Sequence, residues 1–133
     1  MRRIIVITTA VLASLFIAAP AAWAGSPHFV EATATADGNT LTVAGKEAGL
    51  GNETQVHIVV TATALCMNNG GHHPKAVNKG SFSAEGDFPV QNGKAVFTLT
   101  LIATFQPDCS PPMTVSWTNI VVTDTEHGVT KRL

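Results

Sequence analysis

Hydrophobic and polar positions alternate over much of this chain. Val56, Ile58, Val60, Ala62, Ala64 and Cys66 fall on one side of an extended segment, and Gln55, His57, Val59, Thr61, Thr63 and Leu65 on the other. Successive side chains of a strand point to opposite faces, so this period, with its β-branched bias, predicts a long strand over 54–66 with one buried face. The pattern recurs in Ala95, Phe97, Leu99, Leu101, Ala103 and Phe105, which predicts a second strong strand over 94–105. Weaker alternation predicts strands over 28–36, 40–46, 80–88, 113–123 and 129–133. Asp37-Gly38-Asn39 and Gln91-Asn92-Gly93 read as hairpin turns, because Gly and Asn accept the positive φ that tight turns need. Gly86 interrupts the 80–88 segment and Pro89 closes it. Ile120-Val121-Val122 breaks the alternation of 113–123, which calls for a bulge or for two covered faces.

After residue 24 no apolar repeat of period 3.6 is present. About seven short strands separated by turn signals predict an all-β fold: an antiparallel immunoglobulin-like β-sandwich with one disulfide. A small β-barrel is the alternative. Trp117 follows both cysteines, so the Cys…Trp…Cys order of true immunoglobulin domains is missing and only the architecture is implied.

Residues 1–24 follow a different pattern. Arg2 and Arg3 precede an apolar run over 4–19, Pro20 breaks it, and Ala22-Trp23-Ala24 forms a small-residue cleavage site. This is the order of a secretory signal peptide, leaving 25–133 as a single β-sandwich domain. A bilayer span needs roughly 17–25 apolar residues, so the run is at the lower limit for an anchor. No membrane insertion is expected after cleavage, and the expected location is secreted, extracellular or in the cell envelope. The formal net charge is −1, and loss of Arg2 and Arg3 makes the mature chain more acidic. With only scattered Lys, no nucleic acid is expected as partner, nor an anionic membrane surface.

The chain has two cysteines. In an oxidising compartment they are expected to form a Cys66–Cys109 disulfide, two free buried thiols being the alternative. The bridge would staple loop 67–79 to loop 106–113. Taken together, Cys66-Met67-Asn68-Asn69-Gly70-Gly71, Pro74, Asn78-Lys79 and Gln106-Pro107-Asp108-Cys109-Ser110-Pro111-Pro112-Met113 resemble a group of small secreted bacterial, actinobacterial β-sandwich proteins of unassigned function with paired Cys-containing loops. The resemblance covers most of the mature chain. It implies secretion and the disulfide, and it transfers no functional residue.

The candidate chemistry sits on those loops. Asn68, Asn69, His72, His73, Asn78 and Lys79 form the expected binding set, since side-chain amides at one end of a sandwich can meet a sugar or a peptide. Plain turn chemistry explains the same residues. His72 and His73, with Met67 and Met113, offer imidazole and thioether ligands suited to copper or zinc, but adjacent side chains diverge on extended backbone. Trp117 is expected in the core, and the chain has no Tyr, so a stacking platform for sugars is not evident. Cys109-Ser110-Pro111-Pro112-Met113 could form a stiff protease-binding loop.

Evidence for catalysis is sparse. None of the serines at 26, 81, 83, 110 and 116 sits in a nucleophile elbow. Glu85 and Asp87 would share a face if their strand holds, and are expected as a solvated edge. His57 and His127 have no orienting acid evident in nearby sequence. Asn52-Glu53-Thr54 matches a glycosylation acceptor, relevant only in a host that glycosylates. The expected function is a secreted, non-enzymatic binding module, with no cofactor, acting on an extracellular protein or glycan through the two loops. A secreted inhibitor of an extracellular protease or other enzyme is the alternative, and copper or zinc binding at His72 and His73 a lesser one.

Overall fold

The computed structural model describes residues 26–68 and 78–133. Its strands are β1 (His28–Asp37), β2 (Thr40–Ala48), β3 (Gln55–Met67), β4 (Lys79–Gln91), β5 (Lys94–Ile102), β6 (Thr114–Asp124) and β7 (Val129–Arg132). The signal-peptide segment 1–24 and most of loop 67–79, with Asn69, His72 and His73, lie outside the described residues.

Every neighbouring pair is antiparallel, in the order β1-β2-β5-β4-β3-β6-β7. β4 pairs with β3 from Gln55↔Pro89 to Leu65↔Lys79, but meets β5 only at Val90↔Ala95 and Gln91↔Lys94. The sheet folds over at that hairpin, so β1-β2-β5 faces β4-β3-β6-β7. On the far side β1 and β7 approach each other, and the sandwich is nearly closed like a barrel. Strands one, two and five opposite three, six and seven is the immunoglobulin-like distribution, with the fourth strand added beside the third.

The alternating positions form the core. Leu41 and Val43 of β2, Val56, Ile58 and Val60 of β3, and Phe97 and Leu101 of β5 are all buried. Phe29 and Phe88 meet Phe97 edge-on, with ring centroids 5.8 and 6.1 Å away. Gly45 makes room for that ring. A Cβ there would lie 2.6 Å from Phe97 Cζ and would clash with the Glu31 carbonyl oxygen. A second, smaller cluster of Ala64, Cys66, Ala103 and Phe105 lies under the Cys66–Cys109 disulfide, whose Cα atoms are 5.8 Å apart.

Several strand ends move: β2 runs on to Ala48, and β5 stops at Ile102 rather than at 105. Two further expectations change for a clear physical reason. β4 runs through Gly86 and Pro89 instead of stopping at residue 88. Val90 N–H donates to Thr54 O, so the neighbouring position, Pro89, has its nitrogen toward β4's other edge and loses no bond to β3. Gly86 faces inward, where a Cβ would touch the Phe88 ring and Leu99. Trp117 is half-buried rather than fully in the core. It packs edge-on against Phe82 at 6.0 Å, and its Nε1–H donates to Gly38 O at 3.4 Å.

Of the two readings of 120–122, the bulge is what forms. The β3–β6 register shifts between Thr61 and Thr63, and Asn119 there has φ 51°. Before the bulge Val115 and Trp117 pack inward. After it, Val122 and Asp124 do.

Candidate functional site

Among the described residues two with charged side chains are fully buried, Glu47 and Asp124. Both sit at the end of the sandwich opposite the disulfide. Glu47 continues the inward series Leu41, Val43, Gly45 on β2. Asp124 is the last residue of β6, opposite Ile58.

The turn after β6 wraps around the Asp124 carboxylate. Oδ1 accepts from the backbone N–H of Glu126 at 2.9 Å and of His127 at 3.2 Å, and Gly128 N–H closes the turn on Asp124 O at 2.9 Å. Gly128 has φ 69°, a conformation glycine adopts without steric cost. This turn brings the His127 ring back over the carboxylate, with Nδ1 2.5 Å from Asp124 Oδ2. On its other side, Nε2 lies 2.7 Å from Glu53 Oε1. Glu53 comes from the β2–β3 connection. That connection is pinned by buried Leu50, which donates to Gly93 O at 3.0 Å and accepts from Glu53 N–H at 3.3 Å. One ligand atom each from Glu53, Glu126 and His127 lies within 4.8 Å of the others.

Glu47 completes the line from the inside. Neither of its oxygens has a hydrogen-bond partner among the described residues. Burial pushes its carboxyl up to about 8. The neighbouring Asp124 carboxylate adds to the effect, while His127 opposes it. At neutral pH Glu47 is therefore held mainly as the acid beside the Asp124 carboxylate. For His127, burial favours the neutral ring, but the hydrogen bonds to Asp124 and Glu53 outweigh it and raise the pKa. When the ring is neutral, Asp124 holds the proton on Nδ1 and leaves the Nε2 lone pair facing Glu53.

A second imidazole is held differently. His57 lies on the outer face of β3, across from Asp87. Its Nδ1 is 2.7 Å from Asp87 Oδ1 and its Nε2 3.2 Å from Glu85 Oε2. These hydrogen bonds, Asp87's first, raise its pKa despite some desolvation. Glu85 and Asp87 thus do share a face, and they share it with a histidine distant in sequence.

At the disulfide end, Asn68 is exposed just past β3, Asn78 is half-buried, and Lys79 is exposed at the start of β4. The β5–β6 connection exposes Gln106, Asp108, Ser110, Pro111 and Pro112. Among the described residues, Met113 packs with apolar neighbours. Its sulfur lies 3.8 Å from Cys66 Sγ, within the small apolar cluster, whereas Met67 follows Cys66 and so points to the opposite face. Beside the bridge, Asn39, Ala103, Thr104, Phe105, Asp108 and Cys109 line a depression whose exposed surface is mostly polar.

The Glu47–Asp124–His127–Glu53 line escaped sequence reasoning because its members come from three separate stretches. Two local signals did exist: Glu47 has the inward parity of Leu41 and Val43, and the acid that orients His127, expected to be missing from nearby sequence, is Asp124 three residues earlier. Against known proteins, the chain matches no family model, no curated protein and no solved structure.

Proposed function

We propose that this protein is an exported, non-catalytic β-sandwich that binds an extracellular protein or glycan through the surface around its disulfide. What supports the reading is the Cys66–Cys109 bridge itself. It ties the end of β3, from which Asn68 emerges, to a β5–β6 connection with a run of exposed polar and proline residues. A covalently held, partly preformed surface loses less conformational entropy on binding. The depression beside the bridge adds mainly polar groups, from Asn39, Thr104 and Asp108, next to Phe105 and Cys109, chemistry that can meet a sugar or a peptide backbone. A disulfide also suits the oxidising surroundings that an exported protein meets.

A glycan array and an affinity pull-down from the cell-envelope fraction test this, comparing wild type with an Asn78→Ala/Asp108→Ala variant. The expected result is a ligand retained by wild type and lost by the variant, with both chains equally folded by circular dichroism. Retention of nothing, or equal retention by both, overturns the proposal. The exposed segment after Cys109 also favours a second reading, an inhibitor loop. That reading requires slow cleavage by subtilisin or trypsin together with loss of protease activity.

A further inference from the structure

We propose that the end of the sandwich opposite the disulfide is a binding site for a divalent transition-metal cation of the zinc(II) class, with His127 Nε2, Glu53 and Glu126 as its ligands. The inference is independent of the reading of the disulfide end.

Three observations carry it. The first is the ligand set: one imidazole nitrogen and two carboxylate oxygens within 4.8 Å of one another. A mixed nitrogen and oxygen set suits zinc and its first-row neighbours, whereas calcium and magnesium prefer oxygen alone. Glu53 and Glu126 are exposed, so a fourth position faces solvent.

The second is the orientation of the ring. A metal-binding histidine almost always gives its other N–H to a carboxylate or carbonyl, which fixes the tautomer and the ring plane. Asp124 is that partner. It is fully buried, it is held by two backbone N–H groups, and it lies 2.5 Å from Nδ1. Nε2 is thereby aimed at Glu53, with a Glu126 oxygen within 4.8 Å of the pair. Zinc bonds to nitrogen and oxygen are roughly 2.0–2.2 Å, so tetrahedral ligands lie about 3.3 Å apart. Nε2 and Glu53 Oε1 are 2.7 Å apart, and an exposed loop glutamate can open that gap by a small rotation.

The third is Glu47, a fully buried side chain whose two oxygens meet no donor among the described residues. It sits beside Asp124, behind the ring. Unpartnered buried polar groups are few in native proteins, and an ion at the site is one of their ordinary causes.

Titration calorimetry of the exported chain with zinc(II), after chelator treatment, provides the test, and cobalt(II) absorption reports the ligand geometry. One equivalent of zinc is expected to bind, with visible cobalt bands of a four- or five-coordinate site. Glu53→Gln/Glu126→Gln changes only exposed side chains, and it should weaken zinc binding at least about 10-fold, as should His127→Gln. His57→Gln, at the other imidazole–carboxylate group, should bind as wild type does. Absence of zinc binding at tens of micromolar protein overturns the proposal. So does undiminished binding by the double glutamine variant, or binding that disappears on substitution of His72 and His73 instead.

Discussion

At one end of the sandwich, Ala64, Cys66, Ala103 and Phe105 are buried under a covalent bridge. At the other, the space between the sheets holds two carboxyl groups, Glu47 and Asp124, beneath a turn that carries His127. Both solutions close an open end of two packed sheets, but they answer to different variables. Apolar contacts and a disulfide depend on redox conditions and little on pH. A carboxyl pair under an imidazole depends on protons and cations. The same fold therefore has one end that is fixed once oxidised and one that can respond to its medium.

The largest expected effect lies at the covalent end. The bridge spans a sequence separation of 43, and closing such a loop restricts the unfolded chain by about 4 kcal/mol. Cys66→Ser/Cys109→Ser should lower the denaturant-unfolding free energy by that order, out of roughly 5–15 kcal/mol for a typical domain. The loss should be the same at pH 5.5 and pH 8. A loss below about 1 kcal/mol, or one that changes with pH, would break the contrast between the ends.

The carboxyl end should give the next effect, with a definite sign. Glu47 has its folded pKa raised from 4.5 to about 8. A group raised in the folded state contributes stability that is fully present below its unfolded pKa and is lost as pH rises to the folded one. Wild-type stability in chelator should therefore fall between about pH 4.5 and pH 8. The raised pKa of His127 acts in the same direction. Glu47→Gln keeps a neutral side chain of the same shape beside Asp124 and has no proton to lose. Its melting temperature should match wild type near pH 5 and exceed it by several degrees at pH 8.5, each kcal/mol moving a domain of this size by about 4–8 °C. A wild-type melting temperature flat across this range would show that Glu47 is not held as the acid.

How much of each end is legible in the sequence follows from how local its determinants are. Strand alternation, the Asn92-Gly93 turn and the pairing of two cysteines are local or compositional, and they lead directly to a seven-stranded, disulfide-bonded β fold. The carboxyl end depends on register. His127 and Glu53 are 74 positions apart, and nothing in either stretch names the other. Two particular readings also hid it. A second strand ending at residue 46 stops one short of Glu47, which the observed strand includes. An unbulged sixth strand would turn Asp124 outward, because the bulge at Asn119 is what moves the inward set from odd to even positions. Pro89 and Gly86 misled in the other direction, because the cost of proline and glycine depends on which edge is open and which ring is adjacent.

The smallest effect separates the two histidines, each set between two carboxylates. At His57 the partners Glu85 and Asp87 are 67% and 54% exposed, whereas at His127 the partner Asp124 is fully buried. Salt screens exposed pairs far more than buried ones, the Debye length being about 10 Å at 0.1 M. Both imidazoles have raised pKa values, so each contribution is present below about pH 6.5 and is lost as pH rises through the folded value. His57→Gln should leave the melting temperature indistinguishable from wild type at pH 8, with at most a slight drop at pH 5.5 in low salt. NMR titration of the two rings in chelator is the sharper measurement. Raising sodium chloride from 20 mM to about 0.5 M should carry His57 most of the way back to its ordinary value, while His127, fixed on Asp124, keeps most of its shift. Equal loss at both rings would mean that the buried carboxyl end is as open to ions as the outer face of β3, and the distinction drawn between them would fail.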